Sequence, residues 1–337
     1  MRRILVFEYL HAHPGLYGEA SESMRREGRA MLLAVVDDLA TIDDVQVNVA
    51  VCDAAATDLS FPTGVTVIRS NASTEIAFVD NVLAQETFDD VLPIAPETDG
   101  LLSTLAEEFR RRNQSVVAAP TKTIAIGSSK WLTFSMLRIN ALATIPTARL
   151  DAVQRLGLNA DDMCVVKPAD GAGGEGIVRC RLSEIDELFA SEQQASLRIV
   201  QPLLDGDSYS VGIMGSTILP VASQHIEWID GRPHYLGGTV SPPLPDTALR
   251  ELNELLRQLL TLIEVERGYV GIDLLRTTAT AQPRWLINEI NPRFCTSYLG
   301  YRQATPVNLA MLLLGNQAQE TIHWQPTPTP FTCAPVE

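Results

Sequence analysis

Two apolar segments near the C-terminal end, each carrying acids in its middle, constrain this chain most. Val270-Gly271-Ile272-Asp273-Leu274-Leu275 and Trp285-Leu286-Ile287-Asn288-Glu289-Ile290 read as buried antiparallel strands. An ionised carboxylate inside such a strand is costly unless it meets a cation or a donor. Side chains two apart in a strand share a face, so Glu289 and Asn291 point together while Ile287 and Ile290 serve packing. Asp273, Glu289 and Asn291 then converge from neighbouring strands. That oxygen-rich set suits Mg²⁺, with Mn²⁺ as a substitute, completed by phosphate oxygens. The plainer alternative is a satisfied buried polar network. Arg293 follows at once and can fork onto a phosphate or carboxylate.

The chain that surrounds these strands has 337 residues, room for two or three domains at roughly 150 residues each. Its formal net charge of −15 argues against a general nucleic-acid binder or a protein that adheres to anionic membranes. Cys52, Cys164, Cys180, Cys295 and Cys333 are odd in number and form no CxxC, so reduced thiols in a cytoplasmic setting fit best. Ile4–Phe7 is too short for a signal-peptide core because Glu8 interrupts it, and no apolar run reaches membrane-spanning length.

The first third alternates strand and helix. Ile4–Phe7, Val45–Val51 and Val91–Ala95 read as strands; Glu22–Leu39, Thr74–Ala84 and Asp99–Arg112 read as helices. This series predicts a parallel sheet wrapped by helices, with ligands beyond the carboxyl ends of its strands. Glu8 and Glu97 fall at such positions, although solvated loop carboxylates would look the same. Farther on, Ser128–Asn140 reads as a helix capped by Ser128 or Ser129. Met163–Lys167, Ile177–Arg181 and Ile199–Gln201 read as strands. Tyr209–Met214 and Ile218–Ser223 read as a hairpin around Gly215-Ser216. Leu249–Val265 and Val307–Leu314 read as helices, and Gln325–Pro335 as a Pro/Thr tail with little core content.

Between two of these strands lies Gly171-Ala172-Gly173-Gly174-Glu175-Gly176. It matches GxGxxG in letters, but β-branched Ile177-Val178 follows instead of a helix, which speaks against a dinucleotide-dependent oxidoreductase. The loop reads as a hairpin tip whose N–H groups can close over phosphates, with an ordinary turn as the alternative. No HRD or DFG segment accompanies it, so a protein kinase is excluded, and a Walker A loop is absent. Lys167 ends an apolar strand and Lys130 starts a helix. Both placements are unfavourable for a bare cation and are explained by a bound phosphate, with a snorkelling surface lysine as the plainer alternative for either one alone. His11 and His13 form an HxH without a third ligand at fitting spacing, and Cys295 lacks a base partner.

Taken in order, Lys130, Val165-Val166-Lys167-Pro168, the glycine hairpin, Gln201–Gly206, Gly271-Ile272-Asp273 and Asn288-Glu289-Ile290-Asn291-Pro292-Arg293 resemble the ATP-grasp superfamily over roughly residues 115–315. The resemblance implies a mixed α/β and α+β architecture. An N-terminal βαβ domain (1–115) precedes a small lobe with a glycine lid (116–205), a large lobe with the metal site (206–320) and a tail (321–337). It implies ATP held by Lys130, Lys167, Gly173 and Gly174, with adenine against Gln201, Pro202, Leu203 and Leu204. The metal would sit on Asp273, Glu289 and Asn291, with Lys167 and Arg293 as catalytic groups. Such enzymes activate a carboxylate as an acyl phosphate that an amine attacks.

A narrower likeness rests on Phe7-Glu8-Tyr9, Glu27–Met31, Ile94–Gly100, Ser223-Gln224-His225 and Tyr235–Gly238. These segments are similar to the tyramine–glutamate ligases of methanofuran biosynthesis. That likeness implies small-molecule partners, a glutamate and an aromatic amine, lined by Glu8, Glu97, Gln224 and Arg293. One departure concerns the ribose: the usual glutamate is replaced by Ser208 beside Asp207, and Asp207 is the expected contact. A homodimer is neither required nor excluded. The competing readings are a non-catalytic nucleotide-binding module and a ligase for another acid and amine.

Overall fold

The fold is that of a computed structural model, in which residues 1–171, 173–189, 197–278, 284–315 and 322–332 are described. Ala172 of the glycine loop, Cys333 and the chain end lie outside that set.

The N-terminal domain opens with β1 (Arg2–Glu8), followed by α1 (Tyr9–Ala12), α2 (Pro14–Glu19) and α3 (Glu22–Ala40). Then come β2 (Val45–Val51), β3 (Thr66–Arg69), α4 (Glu75–Gln85), β4 (Asp90–Ile94) and α5 (Leu101–Arg111). The four strands form a parallel sheet in the order β3-β2-β1-β4. Ile4–Phe7 is apolar without alternation because both faces of this sheet are covered. On one face α3 buries Met31, Leu32, Val35, Val36 and Leu39, and the Ser21 side chain caps its start.

The small lobe follows α6 (Thr121–Gly127) and α7 (Lys130–Ile139), the latter capped by Ser129. Its strands are β5 (Ala148–Arg149), β6 (Met163–Pro168), β7 (Val178–Arg181) and β8 (Arg198–Pro202), with α8 (Ile185–Phe189) between the last two. They form an antiparallel sheet in the order β5-β8-β6-β7. The pairing of β6 with β7 makes the glycine segment a hairpin tip, as its flanking sequence requires.

The large lobe is built on β9 (Gly206–Met214), β10 (Thr217–Ile218), β11 (Ala222–Ile229), β12 (Arg232–Val240), α9 (Asp246–Leu259), β13 (Tyr269–Thr277) and β14 (Trp285–Asn291). After α10 (Tyr298–Gln303) and α11 (Ala310–Leu313) comes β15 (Thr329–Phe331). The sheet order is β14-β13-β9-β11-β12-β15, with β10 paired to β9. Its core joins the N-terminal domain through Phe294, Tyr298 and Tyr301, which pack in one cluster with α3.

Several expectations need correction. The tail does carry core: β15 pairs with β12 and buries Phe331 over Gly238 and Gly300. The hairpin after Gly215 is only two residues long on its return side, and β12 is a strand that the sequence reading lacked. The helix from Leu249 stops at Leu259, where the chain turns so that Ile263 and Val265 enter the core. Only Ala310–Leu313 of Val307–Leu314 is helical, because Asn308 accepts from the Ala310 N–H and starts a fresh turn there.

Candidate active site

A cleft of about 500 Å³ opens between the two lobes and reaches the N-terminal helix α3. Its large-lobe wall is β13 and β14, which pair antiparallel with Asp273 opposite Glu289. The register shifts directly after this pair, so Asn288 has no partner on β13 and Leu274 faces Ile287. This bulge explains how Ile287 and Ile290, three apart, both enter the core while Asn288, Glu289 and Asn291 all line the cleft. Strict alternation alone misses Asn288.

The two carboxylates are unequally served. Glu289 Oε1 lies 2.8 Å from Lys130 Nζ. Burial works to raise its carboxyl, but Lys130 and Lys167 prevail and hold it below its ordinary range. Among the described residues Asp273 has no cation in contact. It accepts from the amides of Gln224 and Asn291, each at 2.9 Å. Burial, and then the Glu289 charge, push its carboxyl up to about 6.

Across the cleft stand the two lysines, both buried. Lys167 Nζ donates to Asn288 Oδ1 at 3.0 Å, and burial, with Lys130 adding to it, brings its ammonium down to about 8. Lys130 also donates to the Gly171 carbonyl at 2.6 Å, which ties the glycine hairpin to the acid cluster. Gly173, Gly174 and Gly176 all have positive φ, so this tip needs glycine at each.

The hinge segment Gln201–Leu204 lines the far end of the cleft with Val165 and Leu274. The Gln201 side chain is held inward by Thr147 at 3.0 Å, leaving backbone at the cleft edge. On β9 the alternation puts Ser208 and Ser210 on the cleft side. Asp207 lies on the other face, beside Tyr209 and paired in register with Arg276, so the expected ribose contact is corrected away from it.

The substrate set also divides. Arg293 lines the cleft and is clamped by Glu97, Nε to Oε2 at 2.5 Å; burial opposes its charge, but Glu97 and other anions raise its already high pKa. Glu97 is buried behind it and does not line the cleft. Glu8 is corrected as a lining residue: it caps α1, accepting from the His11 N–H at 3.1 Å and pairing with the His11 ring. His13 in turn caps α2, so the HxH pair is structural. Gln224 does line the cleft, bound to Asp273. Cys295 lines it too, but burial pushes its thiol up to about 12. Among the described residues no cluster of three His, Cys, Asp or Glu side chains is placed to hold a metal, so a cation here must rely on two carboxylates, an amide and its own ligands. Sequence reasoning also missed Glu27, Met31, Ile226 and Tyr235 as lining residues: Glu27–Met31 and Tyr235–Gly238 carry the narrower likeness, but amphipathic positions on a helix and a hairpin do not by themselves show that they meet a cleft. No helix among the described residues is long and apolar enough to cross a membrane.

Comparison with known proteins gives the family of the chain. Residues 127–297 match the ATP-grasp domain and residues 47–124 the pre ATP-grasp 3 domain. A tyramine–L-glutamate ligase of Methanocaldococcus fervens is 26% identical over 333 residues, covering 98% of this chain and 99% of its own. A solved ATP-grasp superfamily structure from Archaeoglobus fulgidus superposes with a TM-score of 0.68 at 21% identity, over 98% of both chains. The L-amino acid ligase from Bacillus licheniformis gives 0.65 at 14% identity, over 93% of this chain and 73% of its own. By its sequence matches and by its fold, the chain belongs to the ATP-grasp family.

Proposed function

We propose that this ATP-dependent carbon–nitrogen ligase joins an amino-acid carboxylate, glutamate in the first instance, to an aromatic amine such as tyramine. The observation that carries this reading is the meeting of Lys130 and Lys167 with Asp273 and Glu289 across one cleft, with Arg293 beside them. In this reading residues 1–115 form the pre-ATP-grasp domain, and 116–205 and 206–320 the clamping lobes.

Magnesium fits the donor set. Two carboxylates face each other in register, and burial, followed by the charge of Glu289, pushes Asp273 up to about 6. Asp273, Glu289 and Asn291 would hold the ion, which would neutralise phosphate charge. Lys130 and Lys167 bind the phosphate oxygens, and the Gly173-Gly174 tip covers them and excludes water. The hinge backbone from Gln201 to Leu204 receives the adenine. Arg293, already fixed by Glu97, presents its guanidinium to the acid substrate. A carboxylate oxygen attacks the γ-phosphorus and ADP leaves. The amine, its ammonium proton lost to water, then attacks the acyl carbon; the carbon–oxygen bond to phosphate breaks, and inorganic phosphate departs with that electron pair and takes up the proton the nitrogen sheds.

A phosphate- and ADP-release assay with ATP, Mg²⁺, single amino acids and a panel of amines tests this. Release is expected only when acid and amine are both present, highest with glutamate and tyramine. Equal release with neither substrate contradicts the reading, and a different best pair replaces the substrates while keeping the reaction.

A further inference from the structure

Among the described residues, the parallel-sheet domain contributes only Glu27 and Met31 to the cleft wall. They lie four apart on α3 and so share one helix face, one turn from each other. Met31 packs in an apolar cluster whose edge includes Tyr235 and Cys295. The β11–β12 ladder also lines the cleft: Ile226 and Tyr235 are cross-strand partners, and Gln224, on the other side of a register shift, lines it too. Met31, Ile226 and Tyr235 thus give this cleft apolar lining, with the Glu27 carboxylate beside Met31 on the same helix face.

That carboxylate is half-buried and poorly served. Ser23 Oγ donates to it at 3.2 Å; Arg293 and Arg26 act on it only through their charge. Arg293 also acts on Asp273 and Glu289, so it stands electrically between the phosphate end and Glu27. The acid substrate must bring its reacting carboxylate to the phosphate side of Arg293. The second substrate is left with this apolar lining and Glu27, whose chemistry fits a cationic head on an apolar body.

We propose that Glu27 selects the second substrate: it pairs with the ammonium group of an amine whose apolar or aromatic body lies against Met31, Ile226 and Tyr235. The inference rests on the ligase reading. Glu8 acts through Glu27 as a positioning residue. Its carboxylate, pinned by the His11 N–H and ring, lies under Gly28, where a Cβ would come within 2.7 Å of Glu8 Cδ. Glycine next to Glu27 thus lets α3 seat directly on Glu8.

The test is steady-state kinetics of full-length wild type and Glu27→Gln, with tyramine as the amine probe. The amine KM rises about tenfold or more in the variant, the size of a lost charge-assisted contact. The KM values for ATP and for the acid stay within about twofold, and Glu27→Asp recovers part of the loss. An unchanged amine KM overturns the inference. So does a rise in the acid KM instead, which would assign Glu27 to the acid's own ammonium group, or a parallel rise in the ATP KM, which would make its role structural. A wild type that turns over no acid–amine pair defeats the ligase reading itself. A wild type that turns over while Glu27→Gln keeps its amine KM defeats the inference alone.

Discussion

Asp90 and Asp273 are the same residue type, both drawn from strands into the protein, and they have opposite electrostatic fates. Asp90 on β4 is bracketed by Arg2 Nε at 2.5 Å and Arg267 Nη2 at 2.6 Å. Burial tends to raise its carboxyl, but the two arginines hold it below the ordinary range. Because Arg267 precedes β13, this pair fastens the N-terminal domain to the large lobe. Asp273 has two neutral amides and a facing carboxylate, and its carboxyl sits near 6. A satisfied buried charge is architecture. An unsatisfied one is a place that waits for a cation brought from outside.

The sharpest way to break that contrast is to neutralise the unsatisfied side. Asp273→Asn removes the charge that faces Glu289 and one oxygen donor of the proposed metal site. It lowers kcat/KM for ATP by about 10³-fold with little change in unfolding temperature. A variant that lost stability but kept its rate would make the cluster architectural. The converse change, Asp90→Asn, leaves two arginines facing a neutral amide. It costs about 3 kcal/mol of unfolding free energy in a denaturant titration while the KM for ATP holds.

The pH dependence separates the sites further. A folded carboxyl raised to about 6, as at Asp273, contributes stability that is full below its ordinary 3.8 and is lost as pH rises through about 6. Lys167, depressed to about 8, contributes stability present above its ordinary 10.5 and lost as pH falls through about 8. Near pH 7 both are charged, at a cost that the proposed Mg²⁺ and ATP would relieve. The rate profile for kcat/KM of ATP should be bell-shaped, with limbs near 6 and 8 and a slope of about tenfold per pH unit outside them. A flat profile from 5 to 9 would remove Lys167 and Asp273 from the site. The smallest effect is expected at the seat of α3. Gly28→Ala pushes a methyl group onto the pinned Glu8, costs about 1 kcal/mol of stability and raises the amine KM several-fold.

Much of this contrast was legible in the chain. Acids inside the apolar runs Val270–Leu275 and Trp285–Ile290, and a lysine closing Val165-Val166, are chemically expensive in any fold, so they mark a site before any coordinates exist. What stayed hidden depends on tertiary register. Asn288 reaches the cleft only because of a bulge, and Asp207 leaves it only because Ser208 takes the cleft face. Glu27 sits at a position of α3 that would be solvated in an isolated amphipathic helix. The segments Arg232–Val240 and Thr329–Phe331 carry prolines or glycines and little alternation, so their strands depend on the neighbouring sheet edge. Glu8 stands at the end of its strand, as the sequence predicts, but His11, three residues on, takes up its carboxylate.

The most direct test is calorimetric titration of ATP into wild type and Glu289→Gln, each with and without Mg²⁺, at pH 7. Wild type should bind ATP at least about tenfold more tightly with Mg²⁺ than without it, and the variant should lose that difference. Equal affinity in all four titrations would mean that the lysines and carboxylates of this cleft do not meet around a metal–triphosphate.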